Sequence, residues 1–220
     1  MGHALRLQAD LDRHCAALAG CARCPSRSEG VLPVLSDARA PLGMLVGQAP
    51  GRIEVTERRP FAGRAGRTLF RWFERAGLTE QDARRELYIA AITRCYPGPH
   101  PAGRGDRVPT SAEQATCGDW LANELRLIKP PLLVLVGRLA IDRFLPALPL
   151  DGLVGRAISV DHEGGTSLAI PLPHPSGASS WIHAPGHGEL LTRALDLLRT
   201  ELANVRLAKD KRELLSRRIA

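Results

Sequence analysis

Leu45-Val46-Gly47-Gln48-Ala49-Pro50-Gly51 runs an apolar strand straight into a loop bounded by glycine and proline. Shortly after it stands Pro60-Phe61-Ala62-Gly63-Arg64-Ala65-Gly66, whose glycines let backbone close in on a ligand and which leads directly into a helix. Strand, glycine loop and helix in this order mark a site at the carboxyl end of a parallel strand. Backbone N–H groups and a helix N-terminus there face a polar ligand.

Working outward, the remaining elements alternate in the same way. The helix expected after Gly66 carries Leu69, Phe70, Trp72, Phe73 and Ala76 and stops at Gly77, a suitable C-cap. Leu87 to Thr93 reads as a second strand that delivers Arg94 and Cys95 to its end, and Pro131 to Gly137 is the clearest strand of all. Ala157 to Asp161 and Ser167 to Leu172 read as two more strands around a Glu163-Gly164-Gly165 turn. Helical spacing of Leu7, Leu11, Cys15 and Leu18 predicts an opening amphipathic helix. Thr110 or Ser111 caps a helix through Ile128, with Glu113 and Gln114 placed for a capping box, and a last helix runs from about Gly188 to Ala203 or beyond. Tyr96 to Pro109 is too rich in proline, glycine and arginine for a regular element, and a loop of that length is a functional candidate. The pattern defines an α/β domain with a mainly parallel central sheet.

At 220 residues the chain can bury a substantial core without staples. It has no apolar run of about 18 residues, so no membrane span is expected. No basic head and apolar run of a secretory signal follows Met1, which makes a cytoplasmic location the expectation. The formal net charge is +7 and arginine far outnumbers lysine, which suits phosphate contact but also follows from a GC-rich genome. The basic stretch from Arg206 to Ala220 reads as a solvated extension beyond a domain spanning residues 1–205.

Five cysteines without a secretion signal argue for metal or redox chemistry rather than disulfides. Cys21 and Cys24 form a C-x-x-C knuckle, while Cys95 and Cys117 lie on separate elements. Four such thiolates can hold zinc or an iron-sulfur cluster, and the scattered second pair favours the cluster; buried unligated thiols are the alternative. Cys15 falls on the apolar face of the opening helix, where packing accounts for it. His174-Pro175-Ser176 follows an apolar strand, and its imidazole either satisfies local structure or serves the Gly47 loop at the same sheet edge. Phe61 is either a loop anchor or a stacking platform for a flat ring.

These residues resemble the uracil-DNA glycosylase superfamily, most closely its iron-sulfur-containing bacterial and archaeal members. Gly47-Gln48-Ala49-Pro50-Gly51 is similar to the G-E-A-P-G motif, Pro60 to Gly66 to the P-F-V-G-x-A-G segment, and His174-Pro175-Ser176 to the closing H-P-S motif. Cys21, Cys24, Cys95 and Cys117 match the order of four ligands to a structural 4Fe-4S cluster. The resemblance covers about Leu11 to Leu198. It implies a monomeric, bacterial three-layer α/β/α sandwich with a four-stranded, mainly parallel sheet. It also implies a DNA-repair hydrolase that acts on uracil flipped out of uracil-containing DNA, hydrolyses its N-glycosidic bond and releases uracil.

The resemblance further implies roles. Phe61 would stack on the base, the backbone of Gln48 and Ala49 would bind its carbonyls, and His174 would donate to uracil O2 as negative charge builds. Ser176 and the Gly177 N–H would grip a phosphate, with Arg64, Arg67, Arg104 and Arg107 adding phosphate contacts. Three positions depart from the family pattern. Gln48 stands where glutamate commonly orients water, leaving Glu54 as the nearest carboxylate, or Gln48 itself as the residue that positions water. Ala91 stands where asparagine reads the uracil edge, which resembles the broader-specificity branch and extends the substrates to hypoxanthine. The loop after Cys95 lacks the R-R-I-H run with which a related branch traps uracil-DNA covalently, and His100 is its one histidine. Its absence speaks against covalent trapping, and a non-hydrolytic or covalent uracil-DNA binder stands as the alternative reading.

Overall fold

In a computed structural model, which describes residues 2–24, 30–38, 41–103, 105–176 and 181–219, the apolar runs form one sheet. Its strands are β1 (Gly43–Gly47), β2 (Leu87–Ala91), β3 (Leu132–Val136), β4 (Ile158–His162) and β5 (Gly165–Leu172), in the order β2-β1-β3-β5-β4. All neighbours are parallel except β4 and β5, which form an antiparallel hairpin at the edge. The sheet thus has five strands among the described residues, which corrects the expectation of four. The extra strand is β4, whose only central buried residue is Val160; half-solvated, it pairs on one side only.

β1 and β3 are buried along their whole length because helices cover both faces of the sheet. Strand side chains alternate, so Leu45, Val134 and Ile170 enter one core and Met44, Val46, Leu133 and Leu135 the other. The helices are α1 (Gly2–Ala19), α2 (Arg52–Glu57), α3 (Arg64–Arg75), α4 (Glu80–Glu86), α5 (Ser111–Ile128), α6 (Arg138–Phe144) and α7 (His187–Ile219). On the first face α3 contributes Leu69, Phe70 and Phe73 and α7 contributes Leu191, Leu195 and Leu198. On the second, α1 contributes Leu11, α5 Leu121 and Leu125, and α6 Ile141. Each such fully buried aliphatic or aromatic side chain stabilises the fold by about 1.5–3 kcal/mol relative to exposure. The result is the expected three-layer α/β/α arrangement.

Local chemistry explains the helix limits. The Glu113 N–H donates to Thr110 Oγ1 at 3.2 Å while the Thr110 N–H donates to Glu113 Oε2 at 2.8 Å, so α5 opens on a capping box. α3 begins at Arg64 rather than after Gly66, and two short helices, α2 and α4, fill segments in which a periodic apolar stripe is too short to read. α7 passes residue 205 without a break, and the Arg206 guanidinium forks onto Glu86 Oε2 at 2.6 and 3.0 Å. Beyond it Leu207, Leu214 and Leu215 are exposed. Cys15 Sγ lies 3.7 Å from the Tyr88 hydroxyl against the second core. Among the described residues no helix is long and apolar enough to cross a membrane.

Candidate active site

The parallel strands β2, β1, β3 and β5 all end on one edge, and the chain's glycine loops gather there. β1 ends at Gly47, and the segment after β2 continues the ladder into the following loop. The Ile92 N–H donates to Gly47 O at 3.0 Å and the Thr93 N–H to Gln48 O at 3.2 Å. Gln48 and Ala49 are half-buried beside it, and Ala91 pairs with Gly47 in register.

Glu54, on α2, ties the two glycine loops together. Its Oε2 accepts the Gly51 N–H at 3.0 Å and its Oε1 the Gly63 N–H at 2.8 Å. Each oxygen therefore accepts one backbone N–H, and the carboxylate bridges the two loops.

Phe61 sits between those loops in the left-handed region, with φ of 52°. A non-glycine residue there carries about 1–2 kcal/mol of strain, and such strain clusters at functional sites. The surroundings hold it firmly. Arg84 donates to Pro60 O at 2.9 Å and to Phe61 O at 3.3 Å, and its guanidinium lies 4.5 Å from the Phe70 ring centre. Gly66, inside the first turn of α3, lets helix and loop touch: a Cβ there would stand 1.8 Å from Phe61 O. The Phe61 ring consequently lies over Gly47, its Cζ 3.0 Å from where a Gly47 Cβ would be.

His174 follows β5 at the same edge. Strand register aligns Val46, Leu135 and Pro171 in one row, so β1 and β5 stand two strand spacings apart, about 10 Å. Gly137, with φ of 87°, makes room between them, since a Cβ there would meet His174 Cδ2 at 2.9 Å. The Ser176 N–H donates to His174 Nδ1 at 3.2 Å, and Ser176 Oγ lies 2.8 Å from the same nitrogen. A backbone N–H can only donate, so Nδ1 accepts and the ring proton sits on Nε2. Burial pushes the imidazole below its ordinary value, which keeps it a neutral Nε2–H donor.

The expected phosphate contacts divide. Arg64 and Arg67 open α3 next to the Phe61 loop and, with Arg71, line a cavity of about 550 Å³. Arg107 instead forks onto Glu113 at 2.6 and 2.7 Å, and that hydrogen-bonded pair holds the Glu113 carboxyl at about 2. Arg104 and Gly177 lie outside the described residues. The Tyr96–Pro109 loop is not irregular throughout. Pro99 and Asp106 form an antiparallel bridge, flanked by hydrogen bonds from the His100 N–H to Gly105 O at 2.9 Å and from the Arg107 N–H to Gly98 O at 3.0 Å. His100 Nδ1 accepts from the Ala102 N–H at 3.1 Å. Sequence reasoning missed Asp106, whose place beside the Gly51 loop depends on this hairpin. It missed Arg84 as well, whose hold on the Phe61 backbone comes from a separate helix.

The four candidate metal ligands come from three parts of the chain. Cys21 and Cys24 follow α1, Cys95 follows β2, and Cys117 is buried in α5, where it accepts the Arg94 N–H at 3.3 Å. Burial raises the Cys117 thiol, and the neighbouring Cys24 and Cys21 add to the rise. Burial and Cys21 likewise raise Cys24. Among the described residues no three His, Cys, Asp or Glu side chains stand at metal-binding distance of one another. Beneath the thiols lies a buried polar network. Glu124 accepts from His14 Nε2 and the Tyr88 hydroxyl, each at 3.0 Å, and pairs with Arg94.

An aromatic ring fixed over one strand end, a neutral imidazole donor across the edge and a border of arginines thus meet at the carboxyl edge of an α/β sheet. The chain belongs to the uracil DNA glycosylase superfamily, whose family model matches residues 35–199. It is 30% identical over 157 residues, 71% of this chain and 76% of the relative, to a type-4 uracil-DNA glycosylase of Thermotoga maritima. A type-4 uracil-DNA glycosylase of Archaeoglobus fulgidus is 30% identical over 138 residues, 60% of this chain and 64% of the relative. One from Pyrobaculum aerophilum is 28% identical over 129 residues, 58% of this chain and 61% of the relative.

Proposed function

We propose that this protein is a uracil-DNA glycosylase of base-excision repair, hydrolysing the N-glycosidic bond of uracil flipped out of DNA. The observation that carries the reading is the pairing of a strained Phe61, its carbonyl held by Arg84, with a neutral His174 donor across the same sheet edge. In this reading Phe61 stacks on the flipped ring and the Gln48 and Ala49 N–H groups meet its carbonyls. The His174 Nε2–H donates to O2, where charge builds as the base departs. Ser176 turns its hydroxyl from His174 Nδ1 to a phosphate beside the lesion, and its backbone N–H keeps the imidazole tautomer in place. Ala91 brings a methyl group where an amide could read the base edge, so discrimination rests on backbone groups. This favours a second, broader activity on hypoxanthine.

Cys21, Cys24, Cys95 and Cys117 suit an iron-sulfur cluster in donor chemistry, since cysteine thiolates are its usual ligands and Cys117 already accepts a backbone N–H. Such a cluster, once bound, supplies a tie between α1, the end of β2 and α5. The protein is read as a cytoplasmic monomer.

Oligonucleotides bearing uracil or hypoxanthine, single- and double-stranded, test the activity by alkali-labile strand breakage and by mass spectrometry of the released base. A stable complex with uracil-DNA and no released base would replace the enzyme with a binder. Iron and acid-labile sulfide in anaerobically purified protein test the cluster; zinc in their place would refute it.

The arginines are separable by salt. Arg67→Ala should lower the slope of log affinity against log salt by about one, as one lost phosphate contact does. Arg107→Ala should leave that slope unchanged, because its guanidinium is committed to Glu113. Binding titrations at several salt concentrations check both.

A further inference from the structure

Breaking a glycosidic bond with departure of an anionic base leaves positive charge on the sugar, and the attacking water must lose a proton. A carboxylate beside the sugar answers both needs. The loop after β1 does not supply one. Gln48 carries no charge, and both oxygens of Glu54 are held by backbone N–H groups of Gly51 and Gly63.

A second carboxylate reaches the same loop from outside it. Asp106 Oδ2 lies 2.9 Å from the point where a Gly51 Cβ would stand, and Glu54 Oε2 lies 2.7 Å from that point on its own side. Asp106 is exposed, so solvent and a docked strand can reach it. Its direction is nonetheless fixed. The Tyr96 hydroxyl donates to Oδ1 at 2.9 Å, and among the described residues this is the oxygen that carries a hydrogen bond, leaving Oδ2 toward the loop. The backbone is fixed too. Asp106 bridges Pro99 across the hairpin, and the next residue, Arg107, is locked to Glu113 at the capped start of α5. A side chain this well aimed, on a loop rich in proline, glycine and arginine, is positioned beyond what a solvated aspartate requires.

We propose that Asp106 supplies the carboxylate of this site, orienting the attacking water and balancing the charge on the sugar in place of the residue that Gln48 does not provide. The inference rests on the glycosylase reading above. The water oxygen bonds to C1′ of the deoxyribose as the C1′–N1 bond breaks, and the bonding pair leaves on uracil N1. The water proton passes to Asp106 Oδ2, and the uracil anion, held through O2 by His174 Nε2–H, takes its proton from solvent on release. Asp106 then returns its proton to solvent, leaving an abasic sugar and neutral uracil.

Asp106→Asn tests this, because the amide oxygen still accepts from Tyr96 and the hairpin is preserved. Single-turnover uracil release should fall ~10²–10³-fold, the scale of a lost general base, with affinity for a non-hydrolysable uracil analogue in DNA unchanged. Gln48→Glu placed on top of Asp106→Asn should recover at least about tenfold of that loss, since it returns a carboxylate to the same loop. An active wild type whose Asp106→Asn variant keeps its rate, or loses rate and affinity equally, overturns the assignment and leaves the glycosylase reading standing. A double variant no faster than Asp106→Asn overturns it as well. A wild type that releases no uracil removes the glycosylase reading and the assignment together.

Discussion

His174→Ala is expected to lower single-turnover uracil release ~10²–10³-fold, the range for deleting one preorganised donor to a developing anion. That loss corresponds to about 3–4 kcal/mol of transition-state stabilisation. Affinity for uracil-DNA should change little, because the ground-state carbonyl asks far less of the donor than the departing anion does. The Ser176 N–H occupies Nδ1, so the proton resides on Nε2, and burial lowers the pKa and resists a second proton. A strong charge-assisted donor is thereby exchanged for one that is always in the working form at neutral pH.

The sign of the pH effect follows from that depression. A histidine ordinarily titrates near about 6.5, and here the folded value lies lower. From neutral pH down to the ordinary value, both states leave His174 neutral and its contribution is constant. Below it the unfolded chain takes up a proton first, so the fold loses stability until the folded value is passed. His174→Gln removes this acid-side loss, and thermal melts of both proteins through that window check it. Equal losses of rate and affinity in His174→Ala would show that the ring chiefly builds the fold.

Elements whose neighbours are local in sequence were readable without coordinates. The glycine-bounded apolar runs gave β1 and β3, and Thr110 with Glu113 marked the start of α5, because caps and strand ends are written within a few residues. Phe61 and His174 stood out through motifs. What those residues need from elsewhere did not. Glu54 reads as a spare carboxylate near a neutral Gln48, yet each of its oxygens accepts a backbone N–H, from Gly51 and Gly63, which are adjacent only after α2 turns back on the loop. Asp106 reads as one charge in a basic loop, and only the hairpin brings it to Gly51. Arg107 reads as a phosphate ligand, and nothing in the loop marks Glu113 as its partner within the protein. Charged side chains carry no sequence mark that separates a partner inside the protein from one outside it.

Glu124 illustrates the same point at greater energetic cost. On an amphipathic helix a glutamate reads as solvated, but Glu124 is 0% exposed and Arg94 is 2% exposed. Asn123 lies 2.9 Å from His14 Nδ1, and its amide N–H donates there, so the His14 proton is on Nε2 and points to Glu124. The Tyr88 hydroxyl donates to the same oxygen and Arg94 closes the other side. Burial alone would raise the Glu124 carboxyl, but the Arg94 charge and the His14 hydrogen bond bring it below its ordinary value, so it remains ionised. Glu124→Ala should therefore destabilise the protein by about 3–5 kcal/mol, since it strands a buried guanidinium, a hydroxyl and an imidazole at once. Adding Arg94→Ala should cost less than the two single losses summed, because the stranded charge is then gone. Denaturant unfolding of the two single variants and the double variant measures both quantities. The network joins α1, β2 and α5 beside Cys95 and Cys117, and neither Phe61 nor His174 belongs to it. Uracil release per folded molecule should then match the wild type at low temperature, where the weakened fold persists. A loss under about 1 kcal/mol would mean that water enters and solvates Arg94, and that this buried pair does not hold the three elements together.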